Sequence, residues 1–257
     1  MAIDNEVYDR IGVGWWEESN PLNLLQGSLT PARFEYFAGV LRARGIGLDG
    51  LRALDIGSGG GFLAERFAAA GARVVGVDPS VVSLDTARRH AHAGGLPIDY
   101  RAGVGERLPV GDAQFDIAYC CDVLEHVDDL DAVLAETARA LAPGGLYFFD
   151  TINRTLLGKL ILIKLMQEWR FTRMFDTPIH DWSMFIRPAE LRVALRRHGL
   201  VVADVTGLGL RTLNPLLLRD MRRAQRGKIG YGEFSRRLRF GRVPYTGASY
   251  MGYAVKV

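Results

Sequence analysis

Between residues 51 and 151, short apolar runs bounded by Gly, Asp and Pro alternate with helix-length amphipathic segments. That alternation is the pattern of an α/β fold, in which parallel strands are joined by crossover helices. It predicts strands at 53–56, 73–77, 98–101, 115–121 and 146–151, with helices at 61–70, 81–93 and 131–141 between them. Pro143-Gly144-Gly145 reads as a helix stop followed by a turn. Further on, Pro188 suits the first turn of a helix at 188–198, followed by strands at 200–205 and 250–256. Ahead of the sheet, residues 7–44 read as mostly helical, with Trp15-Trp16 and Pro21 marking a bend. The expected organisation is a helical N-terminal cover over 1–50 and a sheet domain over 51–257, interrupted by insertions at about 154–187 and 208–246.

Composition and charge narrow the class. With 257 residues, 48% of them hydrophobic, the chain can bury a sizeable core. The two cysteines, Cys120 and Cys121, are neighbours, so neither a disulfide framework nor a thiolate zinc site can be built from them. Residues 1–9 lack the pattern of a secretory or transit peptide, and the apolar run 160–163, like every other in the chain, falls far short of the roughly 20 residues that span a bilayer. A cytoplasmic setting is expected. The net charge of +3 hides a division: residues 1–150 carry 12 Arg against 22 Asp and Glu, whereas 151–257 carry 20 Lys and Arg against 7 Asp and Glu. A nucleic-acid enzyme would account for the basic half. However, the stretch after the fourth strand, Cys121-Asp122-Val123-Leu124, lacks the Asn/Asp-Pro-Pro-aromatic element of base-amino methylases, so no nucleic-acid partner is expected.

The chemistry starts at Asp55-Ile56-Gly57-Ser58-Gly59-Gly60-Gly61, which follows a strand and opens a helix. Glycines there let the backbone turn tightly against a ligand, and the helix N-terminus offers unpaired N–H groups. A dinucleotide fingerprint would need glycine at position 62, which is Phe62, and a P-loop would need Gly-Lys-Ser/Thr, which is absent. The stretch resembles instead the acidic glycine loop of class I S-adenosylmethionine-dependent methyltransferases. Asp78, 21 residues beyond Gly57 at the end of the second strand, is placed to accept both ribose hydroxyls, or else to cap the next helix. In that family the adenine is held after the third strand, here residues 103–106.

Over nearly its whole length the chain resembles the O-methyltransferases of ubiquinone biosynthesis, which act on polyprenyl catechols and demethylubiquinol. The matching pieces are Trp15-Trp16, the glycine loop, Glu125-His126-Val127, Pro143-Gly144-Gly145, Thr151-Ile152-Asn153-Arg154, His180-Asp181 and Phe185-Ile186-Arg187-Pro188-Ala189-Glu190-Leu191. The resemblance implies a Rossmann-like class I sheet, parallel with an antiparallel last strand. It implies S-adenosylmethionine held by Arg33, Asp55, Gly57, Gly59, Gly61, Asp78 and Cys121, and a magnesium-type ion at Asp122, Glu125 and His126. It also implies methylation of a phenolic hydroxyl. The alternatives are another isoprenoid or polyketide acceptor, or a protein that binds the cofactor without turnover.

Read from the residues alone, Asp122, Glu125 and His126 supply two carboxylates and an imidazole within five residues. The set could hold a divalent ion, poise His126 as a base, or cap the next helix. His180-Asp181 is a second candidate dyad, in which Asp181 fixes the imidazole tautomer or a lid hydrogen bond forms. His90, His92 and His198 show no partner pattern and read as surface positions.

Residues 156–166 are apolar nearly all round, so they must face protein, a greasy substrate or a membrane. Residues 211–242 carry 10 basic and 2 acidic residues. Within them Asn214-Pro215 reads as a cap and first helical turn, and Arg219, Arg222, Arg223 and Arg226 form one stripe. The stripe is either a solvated face or a contact for anionic lipid or diphosphate. The two insertions are expected to form a cover over the methyl donor, leaving acceptor identity and oligomeric state open.

Overall fold

The computed structural model describes residues 4–174, 177–212 and 215–257. Eight strands form one sheet in the order β3-β2-β1-β4-β5-β8-β6-β7. They are β1 Arg52–Ile56, β2 Arg73–Asp78, β3 Asp99–Ala102, β4 Phe115–Cys121, β5 Leu141–Ile152, β6 Leu200–Leu210, β7 Phe240–Val243 and β8 Ser249–Lys256. The first five run parallel, and β8 pairs antiparallel with both β5 and β6. The strand order reverses between β1 and β4, so the carboxyl ends of these two strands border the crevice where open α/β sheets bind ligands.

Helices α1 Val7–Ile11 and α2 Thr30–Ala43 precede the sheet, and α3 Phe62–Ala69, α4 Val81–Ala93 and α5 Leu130–Ala140 connect its first strands. Their starts follow local chemistry: Ser80 accepts from the N–H of Ser83 and Asp129 from that of Ala132. Both faces of the sheet are covered. Leu54, Ile56, Val133, Leu195 and Tyr250 pack on one side, and Phe37, Leu41, Phe67, Leu84 and Phe148 on the other. Burial on both faces explains why these strands read as continuous apolar runs.

Several elements differ from the sequence expectation. The N-terminal region is not one of them: it is mostly helical as expected, with α1 and α2 joined through short helical turns at Gly12–Gly14, Pro21–Asn23 and Leu25–Leu29. Strand β5 starts at Leu141, directly after α5, and takes Pro143-Gly144-Gly145 into an irregular stretch where the register with β4 shifts. Strand β6 runs on to Leu210 because β7, from inside the second insertion, pairs with it. In the first insertion a turn, α6 Leu156–Gly158, continues as a wide π-helix over Lys159–Glu168. Only Gly158 and Ile163 of these two segments are buried, and Leu156 stands 81% exposed, so the segment is not a buried core helix.

Helix α7 Pro188–Arg197 opens with Pro188 as expected. Helix α8 Leu217–Gln225 begins two residues past Pro215, and the cap assigned to Asn214 lies outside the described residues. Helix α9 Tyr231–Leu238 packs against the N-terminal region, where Ser28 and Ser235 share buried hydrogen bonds. No helix among the described residues is long and apolar enough to cross a membrane.

Candidate functional site

A cavity of about 640 Å³ opens at the carboxyl ends of β1, β2 and β4. Its walls are the glycine loop, the end of β2 with Asp78 and Pro79, residues 103–106, and the turn from Cys121 to Asp128. The roof comes from the N-terminal segment, through Asn5, Tyr8, Asp9, Trp15, Thr30 and Arg33 among others. No lining residue comes from 154–187 or 208–246, so the two insertions do not form the inner cover expected of them. The second packs against the back of the N-terminal segment, which is already folded over the cavity.

The glycine loop takes its shape from backbone constraints. Gly57, Gly59 and Gly61 have φ of 75°, 50° and 85°, a region that side chains make costly. Gly57 and Gly59 line the cavity. A Cβ on Gly57 would run into Val123, and one on Gly59 would lie 2.8 Å from the Trp15 ring. Gly61 does not line the cavity; its missing side chain makes room for the Tyr100 hydroxyl. Trp15 and Trp16 tie the N-terminal segment down. Trp15 Nε1 donates to Ser83 Oγ at 2.9 Å, and Trp16 Nε1 to the Gly60 carbonyl at 2.9 Å. Trp16 also stacks on His90 at 3.4 Å, and His90 meets Glu65 at 2.8 Å, so His90 has partners that its spacing did not show.

Asp78 accepts the N–H of Gly59 at 2.8 Å and of Ser80 at 2.9 Å, which connects β2 to the glycine loop. Burial pushes its carboxyl up to about 6, against those two hydrogen bonds. Asp55 also borders the cavity, and burial, with Asp78 nearby, holds its carboxyl well above the usual range. Cys121 lines the cavity too, and burial pushes its thiol up.

Beside Cys121 lies a charged cluster that sequence reasoning saw only in part. Arg33, from α2, pairs with Asp122 and with Asp150 at the end of β5. Asp150 is 1% exposed and also accepts the backbone N–H of Asp122 at 3.0 Å. The signal available in the sequence was a lone acid closing the apolar run Leu146-Tyr147-Phe148-Phe149.

The acid and imidazole groups are not arranged as a metal site. Asp122 turns to Arg33; Glu125 is 1% exposed and accepts from Thr151 Oγ1 at 2.7 Å; His126 faces Tyr8 and His180. Among the described residues no three His, Cys, Asp or Glu side chains are grouped to hold an ion. The magnesium ligand set implied for Asp122, Glu125 and His126 therefore does not fit, because the three side chains diverge towards different partners.

Glu125 is also absent from the cavity wall. Burial, with the charge of Asp122 adding to it, pushes Glu125 up to about 8. His126 does line the cavity, and burial pushes it down to about 4, the nearby charge of Asp122 opposing this. His180 lies behind it, with ring centroids 5.2 Å apart, and is pushed down to about 3, so both rings are neutral near pH 7. The His180-Asp181 dyad is not formed as expected. Asp181 accepts the N–H of Ser183 at 2.8 Å, while Gln167 holds the backbone of His180.

Residues 54–149 match a family model described as a methyltransferase domain. The ubiquinone biosynthesis O-methyltransferase of Methylobacterium sp. (strain 4-46) is 36% identical over 78% of this chain and 82% of its own. That of Rhizobium etli (strain CIAT 652) is 36% identical over 86% of this chain and 92% of its own. Among solved structures, magnesium protoporphyrin IX methyltransferase from Synechocystis with bound SAH is 22% identical, with a TM-score of 0.57 over 87% of this chain and 81% of that one. A methyltransferase from Thermotoga maritima, described as a possible histamine N-methyltransferase, is 19% identical, with a TM-score of 0.60 over 98% of this chain and 96% of that one. These two establish the fold, and the Rossmann-like class I sheet is the one found. The extent and identity of the curated matches establish the rest: the chain is a S-adenosylmethionine-dependent methyltransferase and belongs to the ubiquinone biosynthesis O-methyltransferase family.

Proposed function

We propose that this enzyme methylates a phenolic hydroxyl on a quinone precursor carrying an isoprenoid tail, with His126 taking the phenol proton. The observation that carries the chemistry is a neutral imidazole on the wall of the same cavity as the glycine loop and Asp78. The substrate class comes from what the relatives' names say of them.

The cavity fits S-adenosylmethionine, with Gly57 and Gly59 giving backbone closeness and Asp78 a carboxylate for the ribose hydroxyls. Residues 103–106 and Arg33 border the same cavity, which supports an adenine contact for the former and a methionine carboxylate contact for the latter. When bound, the cofactor supplies a methyl group on a sulfonium. Displacement at that carbon needs the acceptor oxygen in line and about 3 Å away, which is a demand on positioning. A phenol with an ordinary pKa near 10 attacks poorly while protonated, so His126 accepts its proton as the oxygen–carbon bond forms. S-adenosylhomocysteine and an aryl methyl ether leave, and the imidazolium returns its proton to water. His180, whose ring packs at a tilt against His126 and whose backbone is held through Gln167, supports that ring from behind. Incubation with labelled S-adenosylmethionine and a panel of polyprenyl catechols, simple catechols and prenyl diphosphates, read by mass, tests the acceptor class. Label appearing only in a non-phenolic product would overturn it.

We also propose that the enzyme meets its acceptor at an anionic membrane surface. Trp169 and Phe171 are exposed, as are Leu216 and Leu218, and Gln225 Nε2 donates to the Arg173 carbonyl at 2.9 Å, which sets α8 beside that segment. Arg222 and Arg223 lie on the same helix and Arg226 at its C-cap, and none of the three has an ion pair with a described residue. Apolar side chains beside unpaired arginines suit the headgroup region of anionic lipid.

A further inference from the structure

Asp150 has been given no role so far, and Asp122 was matched to an ion that its surroundings do not fit. The geometry gives both a different task. Asp150 lies beneath the cavity, and its carboxylate accepts from Arg33 Nε, from Arg33 Nη2 at 3.1 Å, and from the backbone N–H of Asp122 at 3.0 Å. Asp122 has φ of 53°, a conformation that residues other than glycine rarely adopt, and the bond to Asp150 holds it there. Oδ2 of Asp122 also pairs with Arg33 Nη2. One buried carboxylate thus fixes α2 and the turn after β4 against each other.

The groups left over are informative. Arg33 Nη1 and Asp122 Oδ1 form no hydrogen bond with a described residue, and both side chains border the cavity. The Asp122 side chain is 34% exposed, whereas that of Arg33 is 5% exposed. A guanidinium donor beside a free carboxylate oxygen complements a zwitterionic amino acid, whose carboxylate meets the guanidinium and whose ammonium meets the acid. With one cation between two acids, the cluster would receive a lone carboxylate poorly, and a carboxylate joined to an ammonium well.

We propose that Asp150 is a positioning residue that presets Arg33 and Asp122 as a paired donor and acceptor for the methionine end of S-adenosylmethionine. This rests on the cofactor reading of the cavity. The fixed cluster gives that end of the cofactor one orientation, and so places the sulfonium for in-line attack.

The test uses the full chain as wild type, Asp150→Asn and Asp122→Asn, titrated by calorimetry with two probes. One is S-adenosylhomocysteine; the other is 5′-methylthioadenosine, which keeps adenine and ribose but lacks the amino-acid end. Asp150→Asn should weaken S-adenosylhomocysteine about tenfold or more and leave methylthioadenosine unchanged. Asp122→Asn should give the same split, and it decides the question if Asp150→Asn fails to fold. Equal losses for both probes would make the role purely structural and overturn the proposal, as would undiminished S-adenosylhomocysteine binding in either folded variant. Failure of both probes to bind wild type would instead sink the cofactor reading itself.

Discussion

The ribose role proposed for Asp78 would tie cofactor affinity to pH in a direction opposite to the effect of this group on folding. Its carboxyl titrates at about 6 in the folded chain, against 3.8 for the ordinary group, chiefly because burial disfavours the charge. Raising it that far corresponds to ~3 kcal/mol. Between pH 3.8 and 6 the folded state binds more protons than the unfolded state at this site. The stability it contributes is therefore full below 3.8 and is lost as pH rises through about 6. Accepting ribose hydroxyls requires the charged form, so affinity for S-adenosylhomocysteine should rise about fivefold between pH 5 and 6, and about tenfold in all by the plateau above pH 7. Asp78→Asn, which does not titrate, should bind weakly at every pH and lack this rise. It should also lack the Asp78 share of the fall in stability over the same interval. Calorimetry from pH 5 to 7.5, with urea melts of both proteins, measures the two effects. The reasoning is refuted if wild type and Asp78→Asn share one affinity profile.

Gly60→Ala should cost roughly 1–3 kcal/mol and shift Trp15 fluorescence, because the new methyl group runs into an indole that is 5% exposed; adding Trp15→Ala should make the two changes non-additive, as a double-mutant cycle in urea would show. Since burial keeps His126 and His180 neutral, with values of about 4 and 3, kcat should show no acidic limb near 6.5 when followed between pH 7 and 5.5 at saturating cofactor. His126→Gln should lower kcat by ~10²-fold or more while the Kd for S-adenosylhomocysteine holds. Because Asp122 is engaged by Arg33 and Glu125 by Thr151, excess chelator should leave turnover unchanged; loss restored by magnesium would show that the three side chains regroup around an ion. Changing Arg219, Arg222, Arg223 and Arg226 to Gln should weaken sedimentation with phosphatidylglycerol vesicles at low salt and raise KM for prenylated acceptors, and equal sedimentation of both proteins would remove the membrane reading.

Local chemistry was enough to place the sheet and half the site. Apolar runs buried on both faces showed five parallel strands, and glycines that must take positive φ marked the loop after β1. Asp78 could be placed because an acid at a strand end acts where the chain itself puts it. These features depend on neighbours in sequence or on a strand period, which one chain carries in full. The family motifs, from Trp15-Trp16 to Phe185-Ile186-Arg187-Pro188, added the reaction class.

What only the tertiary structure decided depends on groups far apart in the chain. Arg33 and Asp150 are 117 positions apart, and Trp15 and Ser83 are 68 apart, so no spacing rule could pair them. The same holds for β7, whose pairing with β6 makes a strand of residues that read as insertion. Asp122, Glu125 and His126 show the converse, since closeness in sequence suggested one cluster. A tight turn after β4 sends each side chain to a different element: Asp122 to α2, Glu125 to Thr151 on β5, His126 towards α1. Sequence supplies the reactive groups, but direction is set by backbone φ and by the partners that burial obliges each charge to find.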